Sequence, residues 1–212
     1  MNRKVLLVSL FSVALLAACT SRGATPTSDG SSEEGSSANP SSSQTTGTAQ
    51  KVFTFKGFDF TAGTNFGLEA KKAELLAFLN SNEPGFITSI SVSNVYAQAD
   101  GNPEQTLCIG TASQAGSLVL NCKYNIVALD FKIQGYYKND TYNGVYRMDT
   151  DSQITIAGTT YSMPNEATTG TGPTEERTEH LDLTASTKAL TIANSSDHQR
   201  AFLNELTVTY IA

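Results

Sequence analysis

The sequence predicts a mainly β fold: an antiparallel two-sheet sandwich, jelly-roll-like, with one short α-helix near the start of the domain. Short segments of alternating apolar and polar residues recur along the chain, separated by turn residues, at intervals typical of sandwiches and barrels. Only one segment has helical periodicity, which excludes a parallel sheet with helical crossovers. Thr, Ser, Gly and Asn are abundant and Trp is absent, a composition that suits β-structure with polar outer faces.

The first residues have the features of an export signal. Arg3 and Lys4 precede an apolar run over 5–18 that, at about 14 residues, is too short to cross a membrane as a helix. A basic flank, a short apolar core and small residues at its end define a secretory signal rather than a permanent span. We therefore expect residues 1–18 to be a signal peptide that is removed.

The end of this run, Leu16-Ala17-Ala18-Cys19, resembles the lipobox of bacterial lipoproteins. In that family the cysteine takes the first mature position and its thiol carries a diacylglycerol. The resemblance implies that Cys19 is lipidated and anchors the chain to the bacterial cell membrane, facing outside the cytoplasm. Two or more acyl chains suffice for stable anchoring. The alternative is an ordinary signal peptide with a chance cysteine near the cut.

Residues 19–50 are predicted to be a flexible tether, and residues 51–212 the folded domain. The tether is almost wholly Ser, Thr, Gly, Ala, Pro, Gln and Asn, with too little apolar surface to offset the entropy of ordering. The net charge of the chain is −6, and no basic patch is present. These charges argue against nucleic-acid binding and leave membrane attachment to the acyl chains.

The helix is predicted over residues 68–79. Leu68, Leu75, Leu76 and Leu79 recur at helical spacing and share one face. The following segment, Asn80-Ser81-Asn82-Glu83-Pro84-Gly85, is a strong stop signal. We expect this helix to pack across one end or edge of a sheet.

The remaining domain reads as strands. The clearest is 126–137, in which Val127, Leu129, Phe131 and Ile133 point one way and Ala128, Asp130, Lys132 and Gln134 the other. In the last strand, Leu206, Val208 and Tyr210 are predicted to face the core. Strands are predicted at 52–60, 87–96, 106–111, 117–123, 126–137, 154–156, 160–162, 181–183, 190–192 and 201–211, with a short hairpin around Gly158.

Three of these segments, 108–118, 154–161 and 200–210, resemble a β-sandwich module found on bacterial surface and secreted proteins. The likeness is carried by short strand and turn motifs such as Ile154-Thr155-Ile156-Ala157-Gly158-Thr159-Thr160-Tyr161. It implies a fold and a location, and it transfers no binding residues.

Two cysteines, Cys108 and Cys122, remain after Cys19. If their segments pair as a hairpin turning near Ala115, the two residues lie opposite each other, and the exported compartment allows a disulfide to persist. Burying the neighbouring Leu and Ile side chains together would shift them out of register by one. A disulfide and two buried free thiols both remain open. Two cysteines alone do not complete a closed zinc site.

The sequence predicts no catalytic residue, metal site or cofactor. His180 and His198 lie in polar settings and are interpreted as exposed loop residues. The segment 149–152 has alternating oxygen groups but lacks the glycine and distal glutamate of a calcium loop, so a polar turn is favoured. The acidic stretch 175–179 is interpreted as a solvated loop.

A tyrosine-rich segment, 136–147, is the strongest candidate for ligand contact. Tyr137, Tyr142 and Tyr146 alternate with Asn, Asp, Lys and Arg in what is predicted to be a loop after the clearest strand. Tyrosine offers a flat apolar face and a polar tip at low entropic cost, and sugar rings stack on such faces. The alternative is that these rings cover a sheet end as ordinary packing.

Three functions are compatible with these patterns. The first is a non-catalytic binding or adhesion module whose partner is a glycan or a surface protein. The second is a structural envelope lipoprotein. The third is a glycan or wall hydrolase, which requires carboxylates that converge in a cleft.

Overall fold

The computed structural model describes residues 47–97, 105–142, 145–148, 152–163, 175–197 and 199–212, with the backbone alone for 137–142 and 145–148. Its elements are β1 (Thr48–Thr54), α1 (Glu69–Leu79), β2 (Ile87–Ser93), β3 (Val95–Ala97), β4 (Leu107–Ile109), β5 (Ser117–Gly135), β6 (Tyr137–Tyr142), β7 (Val145–Met148), β8 (Ser152–Ile156), β9 (Thr159–Met163), β10 (Arg177–Ala193) and β11 (Ala201–Ile211). The first strand thus begins at Thr48, ahead of residue 51.

Nine of the strands in the described ranges form one antiparallel sheet. Its order is β3-β4-β11-β5-β10-β8-β9, with β1 paired to β11 and β2 paired to β5. The other two described strands, β6 and β7, form a separate two-stranded ribbon that follows β5 directly in the chain.

Two long strands, β5 and β10, run through both layers of the sandwich. Residues 117–122 of β5 pair with β2 on one side and with the end of β10 on the other. Residues 125–135 of β5 pair with β11 and with the start of β10. Between these parts the β5–β10 register shifts, and residues 183–186 of β10 bulge out of the pairing. The predicted antiparallel sandwich with one helix is confirmed, and its layers are two parts of one folded sheet.

The core lies between these two layers and the helix. Leu206 and Val208 are fully buried and Tyr210 is 7% exposed, which confirms the prediction for the last strand. One continuous apolar cluster joins the layers, with members that include Phe53, Phe131, Leu206 and Val208 from one layer, Leu118, Leu120, Leu190 and Ile192 from the other, and Leu75 and Leu79 from α1.

The helix buries Leu75 and Leu79, and Leu76 packs against the same core. The prediction for Leu68 is wrong: its side chain is 59% exposed, because it is the N-cap residue and its backbone is extended rather than helical. Asn80 ends the helix as predicted. Its side-chain amide donates to the Ile87 carbonyl and accepts from the Ile87 N–H, each at 2.9 Å, and so fastens the helix end to β2.

Several predicted strand boundaries differ from the structure. Segments 117–123 and 126–137 are parts of one strand, β5, and 181–183 and 190–192 are parts of β10. Val127 is only half-buried, while Ile126 is buried, because the β5–β11 register shifts between Thr209 and Tyr210 and reverses the alternation. The hairpin around Gly158 is confirmed as β8–β9.

The predicted hairpin turning near Ala115 is wrong, because β4 pairs with β3 and β11 and not with β5. The loop between β4 and β5 closes instead on Asn194, whose Oδ1 accepts from the Gly116 N–H. A Cβ on Gly116 would lie 2.2 Å from the Gly110 nitrogen, so only glycine fits there.

Cys108 and Cys122 are consequently not opposite each other and are not bonded to each other. Cys108 is buried in a small cluster with Tyr136 and Phe202, whereas Cys122 belongs to the main core. Burial raises the pKa of the Cys122 thiol to about 11. Of the two alternatives left by the sequence, the structure shows two buried thiols.

Candidate functional site

Four neighbouring strands, β1, β11, β5 and β10, present one polar side of the sheet to solvent, which we call the open face. Its residues alternate with core residues such as Phe53 and Leu206, as the strand period of two requires. The pairing registers place them in three rows across the strands: Thr54, Glu205, Lys132 and Thr178; Val52, Thr207, Asp130 and His180; Gln50, Thr209, Ala128 and Asp182.

His180 lies on this face between two carboxylates. Its Nδ1 is 2.7 Å from Asp130 Oδ1 across the strand pair, and its Nε2 is 3.2 Å from Asp182 Oδ1 on the same strand. The hydrogen bond with Asp130 and, after it, the one with Asp182 raise the pKa of His180 above its ordinary 6.5. Both ring nitrogens are engaged, so the imidazole is held as a polar contact group and not as an open base.

A pocket of about 260 Å³ opens at one end of the open face. It is lined by Thr54, Lys56, Gly57, Lys132, Glu176, Asn204 and Glu205. The four charged side chains among its described lining residues form two pairs: Lys132 Nζ is 3.2 Å from Glu205 Oε1, and Lys56 Nζ is 3.7 Å from Glu176 Oε2. These described residues therefore offer donors and acceptors of both signs, and their charges balance.

Asn204 holds this pocket in place. Its side chain is buried, and its Nδ2 donates to Glu176 Oε2 at 2.7 Å while its Oδ1 accepts from the Thr106 hydroxyl at 2.8 Å. Its backbone carbonyl accepts from the N–H groups of Phe55 and Lys56 at 2.9 and 3.0 Å. Because these bonds fix the amide, its Nδ2 holds the Glu176 carboxylate at the wall of the pocket.

A second cavity of about 580 Å³, which we call the cleft, lies between the β8–β9 turn and the middle of β10. Threonine hydroxyls and aliphatic side chains line it together: Thr155, Ala157, Gly158, Thr159, Leu181, Asp182, Leu183, Thr184, Ala185, Thr187, Ala189 and Thr191. Asp182 belongs to both the cleft and the open face. The two surfaces therefore meet at this residue.

The tyrosines predicted as ligand contacts lie in the β6–β7 ribbon, so the prediction of a loop there is wrong. Tyr137 is paired with Met148, Tyr142 with Val145, and Tyr146 with Thr141. Their side chains lie outside the described part of the structure, and their role as ligand contacts stays a prediction. Among the described residues, no aromatic side chain lines the pocket or the cleft.

Other residues singled out in the sequence fall in different places. Cys19, His198 and residues 149–151 lie outside the described residues. Ser152 begins β8, is buried, and accepts from the Tyr136 N–H at 3.0 Å. In the acidic stretch, Glu175 and Glu176 precede β10 and are exposed, as the loop interpretation expects, and Glu176 also lines the pocket. The loop interpretation is wrong for 177–179, which lie on β10, where Arg177 pairs with Glu179.

The sequence patterns missed the residues that build the pocket and the contacts of His180. The alternation of β5 does place Asp130 and Lys132 on the polar side. Nothing in one sequence states that His180, Asn204 and Glu205 are their neighbours, because strand pairing over such separations is set by the whole fold.

In the described part of the chain, no group of three or more His, Cys, Asp or Glu side chains is placed to hold a metal ion. No helix within the described ranges has both the length and the apolar character needed to cross a membrane.

No family model matches the chain, and no curated protein is significantly similar to it. Among solved structures, one described as "Carbohydrate binding module family29" aligns with 76% of this chain and 88% of its own, at 12% identity and a TM-score of 0.32. A TM-score of this size shows neither a common fold nor a common ligand.

Proposed function

We propose that the open face and its pocket bind a glycan, and that the chain is a non-catalytic binding module held at the outer side of a bacterial cell membrane by lipid on Cys19. The observation that carries the first part is the pocket wall, where Asn204 fixes the Glu176 carboxylate beside Lys56. The second part rests on the lipobox-like end of the leader.

The chemistry of the pocket suits a ligand rich in hydroxyl groups. A hydroxyl donates to a carboxylate and accepts from an ammonium group at the same time, and the pocket presents both within each Lys–Glu pair. Hydrogen bonds to charged groups are about twice as strong as neutral ones. In small-ligand sites, a few placed polar groups fix the orientation of the ligand, whereas the centres of protein interfaces are depleted of charge.

Replacing Glu176→Gln tests the glycan site. The change keeps the shape of the side chain but removes its charge, and a hydrogen bond to a charged group contributes about 1.5–3 kcal/mol. We expect the affinity for a glycan retained on an array to fall by roughly 10- to 100-fold, measured by calorimetric titration.

The matched control is Glu175→Gln, an exposed neighbour that does not line the pocket. It removes the same charge from the same segment and should leave the affinity unchanged. Equal loss in both variants, or no loss in Glu176→Gln, would contradict the proposed site.

Replacing Cys19→Ser tests the anchor. An oxygen in place of the sulfur cannot take the thioether-linked diacylglycerol, so we expect the protein to appear in the medium or to keep its leader. Fractionation of cells and mass measurement of the product distinguish these outcomes, with Ser21→Ala as the control that stays in the membrane fraction. If the Cys19→Ser protein is processed and bound to the membrane as before, the proposed lipid anchor is contradicted.

A hydrolase is the second candidate, because Glu176 and Glu205 line the same pocket and glycoside hydrolysis uses paired carboxylates. Against it, a lysine lies beside each carboxylate, and Asn204 also holds Glu176. Incubating the retained glycan with the protein and assaying new reducing ends separates the two. Binding without release of reducing ends is expected, and release that Glu176→Gln abolishes would favour the enzyme.

A further inference from the structure

We infer that the ligand is an extended, neutral glycan chain that lies along β10 and occupies both the pocket and the cleft. This inference rests on the proposed function and adds the form of the ligand to it. A site made of the pocket alone would take a single sugar or a chain end. A site that continues into the cleft takes the interior of a chain.

The two cavities border the same strand. Glu176 precedes β10 and lines the pocket, while Asp182 lies on β10 and lines the cleft. At about 3.3 Å per residue, these positions are about 20 Å apart along the strand. Thr178 and His180 occupy the open face between them.

Polar side chains continue without a break along this path. Lys132 pairs with Glu205 at the pocket, and Asp130 lies two residues away on β5 and contacts His180, which in turn contacts Asp182 at the cleft. The side chains of His180, Asp130 and Asp182 are 55%, 45% and 85% exposed, so each is open to a bound chain. Hydroxyl groups along the whole path would find partners.

The cleft itself matches the two kinds of surface on a sugar chain. Leu181 and Leu183 are half-buried against the core, and the area that they leave exposed suits C–H faces, while the threonines supply hydroxyls. The cleft sits where β10 loses its pairing with β5, since the register shifts between Asp182 and Thr187. Among the described residues of the lining, Asp182 is the single charged one, and a lone carboxylate disfavours an acidic sugar.

The test is the dependence of affinity on chain length in the full-length protein. Cello- and chito-oligosaccharides are titrated from the single sugar up to chains that reach from Glu176 to Thr191. We expect the affinity to rise with length and to level off once both cavities are filled.

A variant in the cleft gives a second readout. Ala185→Arg places a long charged side chain in the cleft from an exposed position, and should weaken the longest ligands on the order of tenfold while leaving the shortest unchanged. The control is Ser186→Arg, which adds the same side chain to the same bulge at a residue that does not line the cleft.

The outcomes separate this inference from the proposed function. Affinity that does not depend on length, together with weakening by Glu176→Gln, overturns the extended site and leaves the pocket. Absence of binding in both oligosaccharide series overturns the extended site, and absence of any retained glycan on the array overturns the pocket as well. The length series uses the unaltered chain, so it decides the matter even where Ala185→Arg fails to fold.

Discussion

At the scale of single residues, Asn204 and His180 show two ways of fixing a polar group. Asn204 is buried and is held by Thr106, Glu176 and the backbone, so it acts on the pocket through the carboxylate that it positions. His180 is exposed and is held by two carboxylates on the surface. A ligand would meet the first through Glu176 and the second directly.

His180 should titrate above its ordinary pKa of 6.5, because charging the imidazole improves its bonds with Asp130 and Asp182. A raised pKa in the folded state means that the stabilisation is fully present below pH 6.5 and is lost as the pH rises through the raised value. NMR titration of the ring protons checks this. Asp130→Asn should lower the midpoint more than Asp182→Asn, since the Asp130 bond is the larger cause. Two variants with unchanged midpoints would contradict the geometry.

The side of a strand on which a residue lies was predictable from the alternation of apolar and polar residues. The neighbours of that residue on other strands were not, because they depend on strand pairing. Lys132 and Asp130 were placed on the polar side of their strand because the strand period of two requires it. The sequence predicts His180 to be a loop residue ahead of the strand at 181–183, because the residues that precede it, 174–179, are all polar. Its position on β10 comes from pairing with β5.

At the scale of elements, the link between α1 and β2 depends on one side chain. Asn80→Ala removes both hydrogen bonds to the Ile87 backbone. The N–H and the carbonyl of Ile87, which is buried, then lose these partners. Each such group costs about 1–3 kcal/mol, so we expect clear destabilisation by denaturant titration. Asn82→Ala, an exposed change in the same loop, should stay within about 0.5 kcal/mol of the unaltered chain. Equal effects from the two changes would show that the amide does not link the elements.

Element type was more predictable than element length. The helix, the β8–β9 hairpin and the last strand follow from local periodicity and a turn glycine. The length of β10 does not, since Thr184, Ala185 and Ser186 interrupt the apolar pattern while the backbone continues through a bulge. The local sequence pattern that predicts a strand ends at these residues, and pairing with β5 on either side of them makes β10 one long strand.

At the scale of the whole molecule, the sandwich was predictable because its causes are spread along the entire sequence. Many short alternating segments and one helix leave few other ways to bury the apolar faces. The path of the sheet was not predictable, because β5 and β10 each serve two layers and their partners lie far apart in the chain. The pocket depends on that path, so it could not be predicted from the sequence alone.

The register of β1 against β11 has a mechanical consequence. The chain enters the sheet at Thr48, opposite Ile211, and leaves β1 at Thr54, which borders the pocket. Under the proposed function, a pull between the lipid anchor before β1 and a ligand bound at Thr54 would act along the length of β1. The hydrogen bonds between β1 and β11 are perpendicular to this pull, so they would all be loaded at the same time rather than broken one after another. Bonds that are loaded together share the force, so separating β1 from β11 takes a larger force than breaking the same bonds one at a time.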